Sequence, residues 1–282
     1  MAVKPLTVND FGIMKRDDVR IAALTAYDAL FARLLDESGV DLILVGDSLA
    51  NVFQGRNTTI PVTLEEMIYH GEIVARSVRR GFVVVDMPFM SYQVSAEDAL
   101  RNAGRVVKET GCKGVKIEGG VTRHTTIRRI VDAGIPVLGH VGMTPQSVNV
   151  LGGYGLQGRE NRATVIADAR AVEDAGAFAV VLEKIPRELA TEITGTLSIP
   201  TIGIGAGPDC DGQILVTPDM LGLFTGFKAR FVRRYAELGA LSSEAVARYI
   251  ADVREGGFPS EEESYSESEG AQSMQRKKTC TS

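Results

Sequence analysis

The chain has 282 residues, 44% of them hydrophobic and 24% charged, and its 31 Lys and Arg against 36 Asp and Glu give a net charge of −5. That length suits one α/β barrel or two small domains, and it buries a core without help from disulfides. The acidic balance, with no long basic stretch, excludes a nucleic-acid binder, whose affinity rests on clustered Lys and Arg facing phosphates.

At the N-terminus, MAVKPLTVNDF has no long apolar stretch of the kind a secretory signal needs. No window offers the roughly 20 apolar residues of a membrane span. Cys112, Cys210 and Cys280 are odd in number and far apart, without CxxC or Cys/His finger spacing. They are expected as reduced thiols in a cytoplasmic protein with neither membrane nor nucleic-acid partners.

From there, apolar runs of strand length recur in order: IAALTAYD from Ile21, VDLILVGDS from Val40, FVVVDMPF from Phe82 and GVKIEGG from Gly114. PVLGHVGM from Pro136, FAVVLEKI from Phe178, PTIGIGAG from Pro200 and GQILVTPDM from Gly212 complete the set. Each is nearly continuous in Val, Ile or Leu, as in a strand covered on both faces.

Amphipathic segments lie between the runs. DALFARLLDESG stops at Gly39. TLEEMIYHGEIVARSVRRG opens with the capping-box pair Thr63 and Glu66 and is read as stopping at Gly81. SAEDALRNAGRVVKETG repeats the spacing with Ser95 and Asp98 and ends at Gly111. TRHTTIRRIVDAG ends at Gly134 and RATVIADARAVEDAG at Gly176.

Strands alternating with helices make a parallel sheet, and eight of them close a (β/α)8 barrel. An open doubly wound sheet usually carries GxGxxG at its first turn, and here that turn reads TAYDALF. The expected organisation is one barrel domain over residues 1–256 and a disordered Ser/Glu-rich tail over 257–282, too poor in aliphatics to fold.

In such barrels the chemistry sits at the C-terminal ends of the strands. That rule gathers Thr25, Tyr27 and Asp28, then Asp47-Ser48, Asp86, Lys116 and Glu118, then His140, Glu183-Lys184 and the IGIGAG turn. Asp47, Asp86 and Glu118 would repel one another unless a cation lies among them, which Lys116 supplies in part and a hard dication such as Mg2+ completes. A solvated acidic rim without metal is the alternative.

Lys116 and Glu118 are two apart on one strand and share a face, as ligands of different groups or as an internal ion pair. Glu183 follows the apolar AFAVVL, a setting that suits a general base, or pairs with Lys184. His140 reads equally as a proton carrier or a satisfied core histidine. His70 and His124 fall on predicted helices as packing or surface residues. IGIGAG reads as a phosphate cradle or as close packing.

TAYDA, GDS, DMPF, KIEGG, GHVGMTPQ, GGYGLQG, EDAGAFAVVLE, IPTIGIGAG and DGQILV occur in this order from about Thr25 to Phe224. Together they resemble the ketopantoate hydroxymethyltransferase family of the phosphoenolpyruvate/pyruvate superfamily. The resemblance implies a (β/α)8 barrel that transfers a hydroxymethyl group from 5,10-methylenetetrahydrofolate to 3-methyl-2-oxobutanoate through a Mg2+-stabilised enolate, giving ketopantoate for pantothenate and coenzyme A. It implies that Asp47 and Asp86 bind Mg2+, with Glu118 completing the set directly or through water. It further implies that Asp47, Ser48, Asp86 and Lys116 hold the 2-oxo acid, that Glu183 accepts the proton, and that the chain forms a homodecamer of two pentamer rings. Pro208 and Cys210 before DGQ, and the tail after about Pro259, depart from the family pattern. A sister enzyme of the superfamily would need a catalytic cysteine in a lid loop, a motif in which neither Cys112 nor Cys210 sits.

Overall fold

The computed structural model describes residues 4–224 and 228–266. Eight parallel strands close into a barrel in sequence order, each hydrogen-bonded to the next and β8 to β1. They are β1 (Ile21–Thr25), β2 (Leu42–Val45), β3 (Phe82–Asp86), β4 (Gly114–Glu118), β5 (Val137–Gly142), β6 (Ala179–Glu183), β7 (Thr201–Ile204) and β8 (Gly212–Leu215). All eight predicted runs are strands. Around them lie α1 (Val8–Arg16), α2 (Ala29–Glu37), α3 (Leu49–Val52), α4 (Leu64–Ser77), α5 (Ala96–Thr110) and α6 (His124–Val131). The circuit ends with α7 (Val148–Leu151), α8 (Arg162–Asp174), α9 (Arg187–Thr196), α10 (Thr217–Met220) and α11 (Leu238–Glu255).

The period-2 alternation of a strand divides the apolar residues between two cores. Ile43, Val45, Val83, Val85, Ile117 and Leu182 face outward and pack against the helices. Leu42, Leu44, Phe82, Val84, Leu138 and Val181 point inward with Phe11 of α1. Phe11 is fully buried, its ring 5.3 Å from Phe82 and 5.5 Å from Phe178, so α1 closes the N-terminal end of the barrel. Its first turn is fixed by the reciprocal bonds of Thr7 and Asp10.

Helix starts follow the predicted caps. Thr63 and Glu66 make the full capping box, while Ser95 Oγ accepts from the Asp98 N–H without the reciprocal bond. Gly111 ends α5 at φ +75°, the left-handed conformation glycine adopts without a Cβ clash.

One predicted stop is displaced. The α4 helix ends at Ser77, not at Gly81, because Val78 is already extended and the buried Asp36 carboxylate collects the N–H groups of Arg79, Arg80 and Gly81. Gly81 serves close approach instead: a Cβ there would meet Ile43 Cδ1 at 3.2 Å and the Val40 carbonyl at 3.3 Å.

The α11 helix is not among the predicted segments and buries no residue. Residues 257–266 are exposed and hold neither helix nor strand; the remainder of the expected tail, 267–282, with Arg276–Lys278 and Cys280, lies outside the described residues. Among the described residues no helix is long and apolar enough to cross a membrane.

Candidate active site

Strand register assembles the mouth of the barrel. Asp86 pairs with Lys116, Glu118 with His140, and Gly142 with Glu183. All but Gly142 carry inward-pointing side chains, because each lies an even number of residues beyond an inward apolar neighbour such as Val84, Leu138 or Val181. Asp47 lies just past β2, where its N–H donates to Asp86 Oδ2 at 3.0 Å. Asp47, Ser48, Asp86, Lys116, Glu118 and Glu183 all line one cavity of about 560 Å³ at this end. The sequence-predicted site residues are therefore brought together.

Lys116 Nζ donates to Asp86 Oδ1 and lies 3.8 Å from Glu118 Oε1. Its ammonium has only 5% of its side chain exposed. Burial alone would favour the neutral amine, but the charges of Asp86, Glu118 and Asp47 prevail and raise its pKa above the ordinary lysine range. The ion pair read as an alternative to separate roles is thus present, and it is shared between two carboxylates.

His140 lies between two acids, with Nδ1 3.4 Å from Glu118 Oε1 and Nε2 3.3 Å from Glu183 Oε2. Neither contact has hydrogen-bond alignment, so the attraction acts mainly through charge. Burial and Lys116 oppose protonation of His140, yet the two carboxylates outweigh them and raise its pKa to about 9. Burial likewise works against ionising Glu118, but His140, Lys116 and the Gln146 N–H together hold its carboxyl below the usual range.

Asp47 moves the other way: burial, then the charges of Asp86 and Glu118, push its pKa up to about 8. Asp86 is also raised, by burial, against the pull of Lys116.

The inner cluster of the mouth sets Asp47, Asp86, Glu118 and Glu183 against Lys116 and His140, and Glu118 Oε1 is buried without a hydrogen-bond donor. This donor set, all oxygen and short of positive charge, fits a hard dication. Among the described residues no three His, Cys, Asp or Glu form a ready-made metal cage. Mg2+ needs none, since it is usually held by one or two carboxylates together with water and substrate.

Other readings resolve here. Glu183, with 13% of its side chain exposed, faces His140, while Lys184 turns away and donates to the Tyr154 carbonyl. Asp28 caps α2 through the N–H groups of Leu30 and Phe31. His70 is a packing residue, its Nδ1 2.7 Å from the Tyr27 carbonyl. The IGIGAG glycines serve close packing, as a Cβ at Gly203, Gly205 or Gly207 would strike Cys210, Phe231 or Arg187. Cys112 and Cys210 are buried and do not line the cavity.

Tyr27, gathered by the strand-end rule, binds Ser48 Oγ at 2.8 Å. Two residues escaped the sequence reading, Gln146 and Tyr92, which reach Asp47 and Glu118. Gln146 sits inside GHVGMTPQ just past a strand end, but a neutral amide carries no charge signal.

Opposite the acidic wall, Ile204, Ile214, Val216, Phe231 and Val232 make an apolar one. A closed parallel barrel with a buried acid–lysine cluster and a strand-end carboxylate at its C-terminal mouth is the frame of an enzyme acting on a small anion with an apolar portion. Residues 5–261 match the family model described as ketopantoate hydroxymethyltransferase, and the chain belongs to that family.

It is 57% identical over 258 residues to the 3-methyl-2-oxobutanoate hydroxymethyltransferase of Prosthecochloris aestuarii (strain DSM 271 / SK 413), covering 89% of this chain and 93% of that one. It is 54% identical over 263 residues to the enzyme of the same name from Pelobacter propionicus (strain DSM 2379 / NBRC 103807 / OttBd1), covering 93% and 98%. Among solved structures, a phosphonopyruvate hydrolase complex with oxalate and Mg++ superposes with a TM-score of 0.60 at 12% identity, covering 97% of this chain and 98% of that one. A 2,3-dimethylmalate lyase gives a TM-score of 0.56 at 18% identity, covering 98% and 100%. These two likenesses concern the fold.

Proposed function

We propose that the chain transfers a hydroxymethyl group from 5,10-methylenetetrahydrofolate to 3-methyl-2-oxobutanoate, releasing tetrahydrofolate and ketopantoate. The observation that carries this reading is the placement of Glu183 in the same cavity as the Asp86–Lys116–Glu118 cluster, with an apolar wall facing both. The family membership of the chain supports it.

The apolar wall takes the branched alkyl end of the oxo acid and leaves its carboxylate and keto oxygens toward Lys116 and Ser48. Glu183 accepts the C3 proton as the C3–H bond breaks. The negative charge then spreads to the 2-oxo oxygen, where the Lys116 ammonium opposes it, an interaction that grows along the reaction coordinate. His140 orients the Glu183 carboxyl and compensates its charge. The C3 electron pair forms the new bond to the folate-borne methylene carbon, and one water supplies the hydroxyl as tetrahydrofolate leaves.

A divalent cation such as Mg2+, held by Asp47 and Asp86 with Glu118 beside it, would polarise the 2-oxo group as a Lewis acid.

The test is turnover of the two substrates with and without Mg2+, followed by product mass, together with exchange of the C3 proton in deuterated water. Glu183→Gln is expected to bind the oxo acid within a few-fold of wild type while exchange falls by roughly 10²–10⁴. Wild-type exchange in that variant would remove Glu183 from the role.

The same reading places the enzyme in the cytoplasm, with which its unpaired Cys112 and Cys210 agree. It also makes the chain a homo-oligomer. In support, Val246, Tyr249, Ile250 and Val253 form one exposed apolar stripe along α11 at helical spacing.

A further inference from the structure

We infer that Gln146 is a positioning residue that holds the carboxylates of Asp47 and Glu118 in their working orientation, and that Tyr92 locks the Gln146 amide. The inference rests on the reading of the mouth as a cation- and oxo-acid-binding site.

Gln146 lies in the 3-10 turn Pro145–Ser147 just beyond β5 and is 5% exposed. Its main-chain N–H donates to Glu118 Oε2 at 3.0 Å. Its side-chain Nε2 donates to Asp47 Oδ2 at 2.9 Å and to the Met87 carbonyl at 3.0 Å. Its Oε1 accepts from the Tyr92 hydroxyl at 2.7 Å and from Gln93 Nε2 at 3.2 Å. Both amide donors and both acceptor lone pairs are therefore used.

Only one orientation of the amide satisfies this set. Turned over, it would set its oxygen against the Asp47 carboxylate and the Met87 carbonyl, and its NH2 against the NH2 of Gln93. The Tyr92 hydroxyl is itself held, since it accepts from the Glu118 N–H at 3.3 Å and gives its proton to Gln146. The Gln93 amide is set in turn, because its Oε1 accepts from the Tyr92 N–H at 3.3 Å.

One residue thus ties the acid beyond β2 to the acid at the end of β4. A buried amide donating to a carboxylate fixes which oxygen remains free for a cation or substrate.

The experiment measures Mn2+ affinity by the electron paramagnetic resonance of the free ion, on the full chain without substrate, alongside kcat and KM for 3-methyl-2-oxobutanoate. Gln146→Leu removes the side-chain bond to Asp47 and keeps the main-chain bond to Glu118, and it is expected to weaken Mn2+ binding roughly 10–100-fold. Tyr92→Phe keeps the ring packing and is expected to shift affinity several-fold in the same direction. The variant Val106→Ala, buried in α5 away from the mouth, controls for general destabilisation and is expected to leave Mn2+ affinity unchanged. Where Gln146→Leu fails to fold, Tyr92→Phe decides.

Gln146→Leu and Tyr92→Phe both binding Mn2+ within twofold of a wild type that binds it would overturn the inference and leave the functional reading standing. A wild type that binds no Mn2+ and exchanges no C3 proton would overturn both.

Discussion

Lys116 is placed to serve stability and, in the proposed reaction, chemistry together. Its ammonium is almost wholly removed from water and lies against Asp86 and Glu118. Replacing one partner of a buried ion pair leaves the other charge without compensation, which costs roughly 3–5 kcal/mol. Lys116→Met is therefore expected to lose about that much stability in urea unfolding, as well as turnover. Much of this was readable from residue type and spacing: Lys116 and Glu118 two apart on one strand had to share a face. The pairing of Glu183 with Lys184 failed because Lys184, past the end of β6 at φ +46°, gives its ammonium to the Tyr154 carbonyl, and His140 on the neighbouring strand took that place. Gln146 was not readable. Its importance comes from what surrounds an amide after folding, not from its charge or its period.

The strands were legible because their apolar runs are long and unbroken, and their order around the barrel followed from parallel connection. Register was not legible, yet register puts Asp86 beside Lys116 and Glu118 beside His140. Helices α1, α3, α7, α9, α10 and α11 were not anticipated either. Of these, α3, α7 and α10 have four residues each, too few to show a period, and α11 buries no residue to set a pattern.

At the element scale the β5–β6 junction carries a sharp expectation. Gly142 has φ +93°, and a Cβ there would stand 2.4 Å from the Glu183 carbonyl oxygen. Gly142→Ala must strain its own backbone and push the strand that bears Glu183. A loss of roughly 1–3 kcal/mol in thermal or urea unfolding is expected, with a fall in kcat that exceeds any change in oxo-acid binding.

For the molecule as a whole, the proposed assembly has a direct check. Tyr249→Asp combined with Ile250→Asp places two charges on the exposed stripe of α11. Sedimentation velocity is expected to show a smaller particle than wild type, with the far-ultraviolet circular dichroism of the folded chain retained. An unchanged sedimentation coefficient would remove α11 from the interface.

The aromatic plug of Phe11, Phe82 and Phe178 has a kinetic consequence. Among the described residues the base of the barrel is stoppered, so in the proposed reaction both reactants would enter from the mouth. For the proposed reaction this means that the small oxo acid would settle at the bottom before the bulkier folate came in above it. Departure would reverse the queue, with tetrahydrofolate clearing the entrance before ketopantoate. Inhibition by added products should accordingly obey a compulsory sequence, with ketopantoate competing only against the oxo acid; a random pattern would mean a second way in.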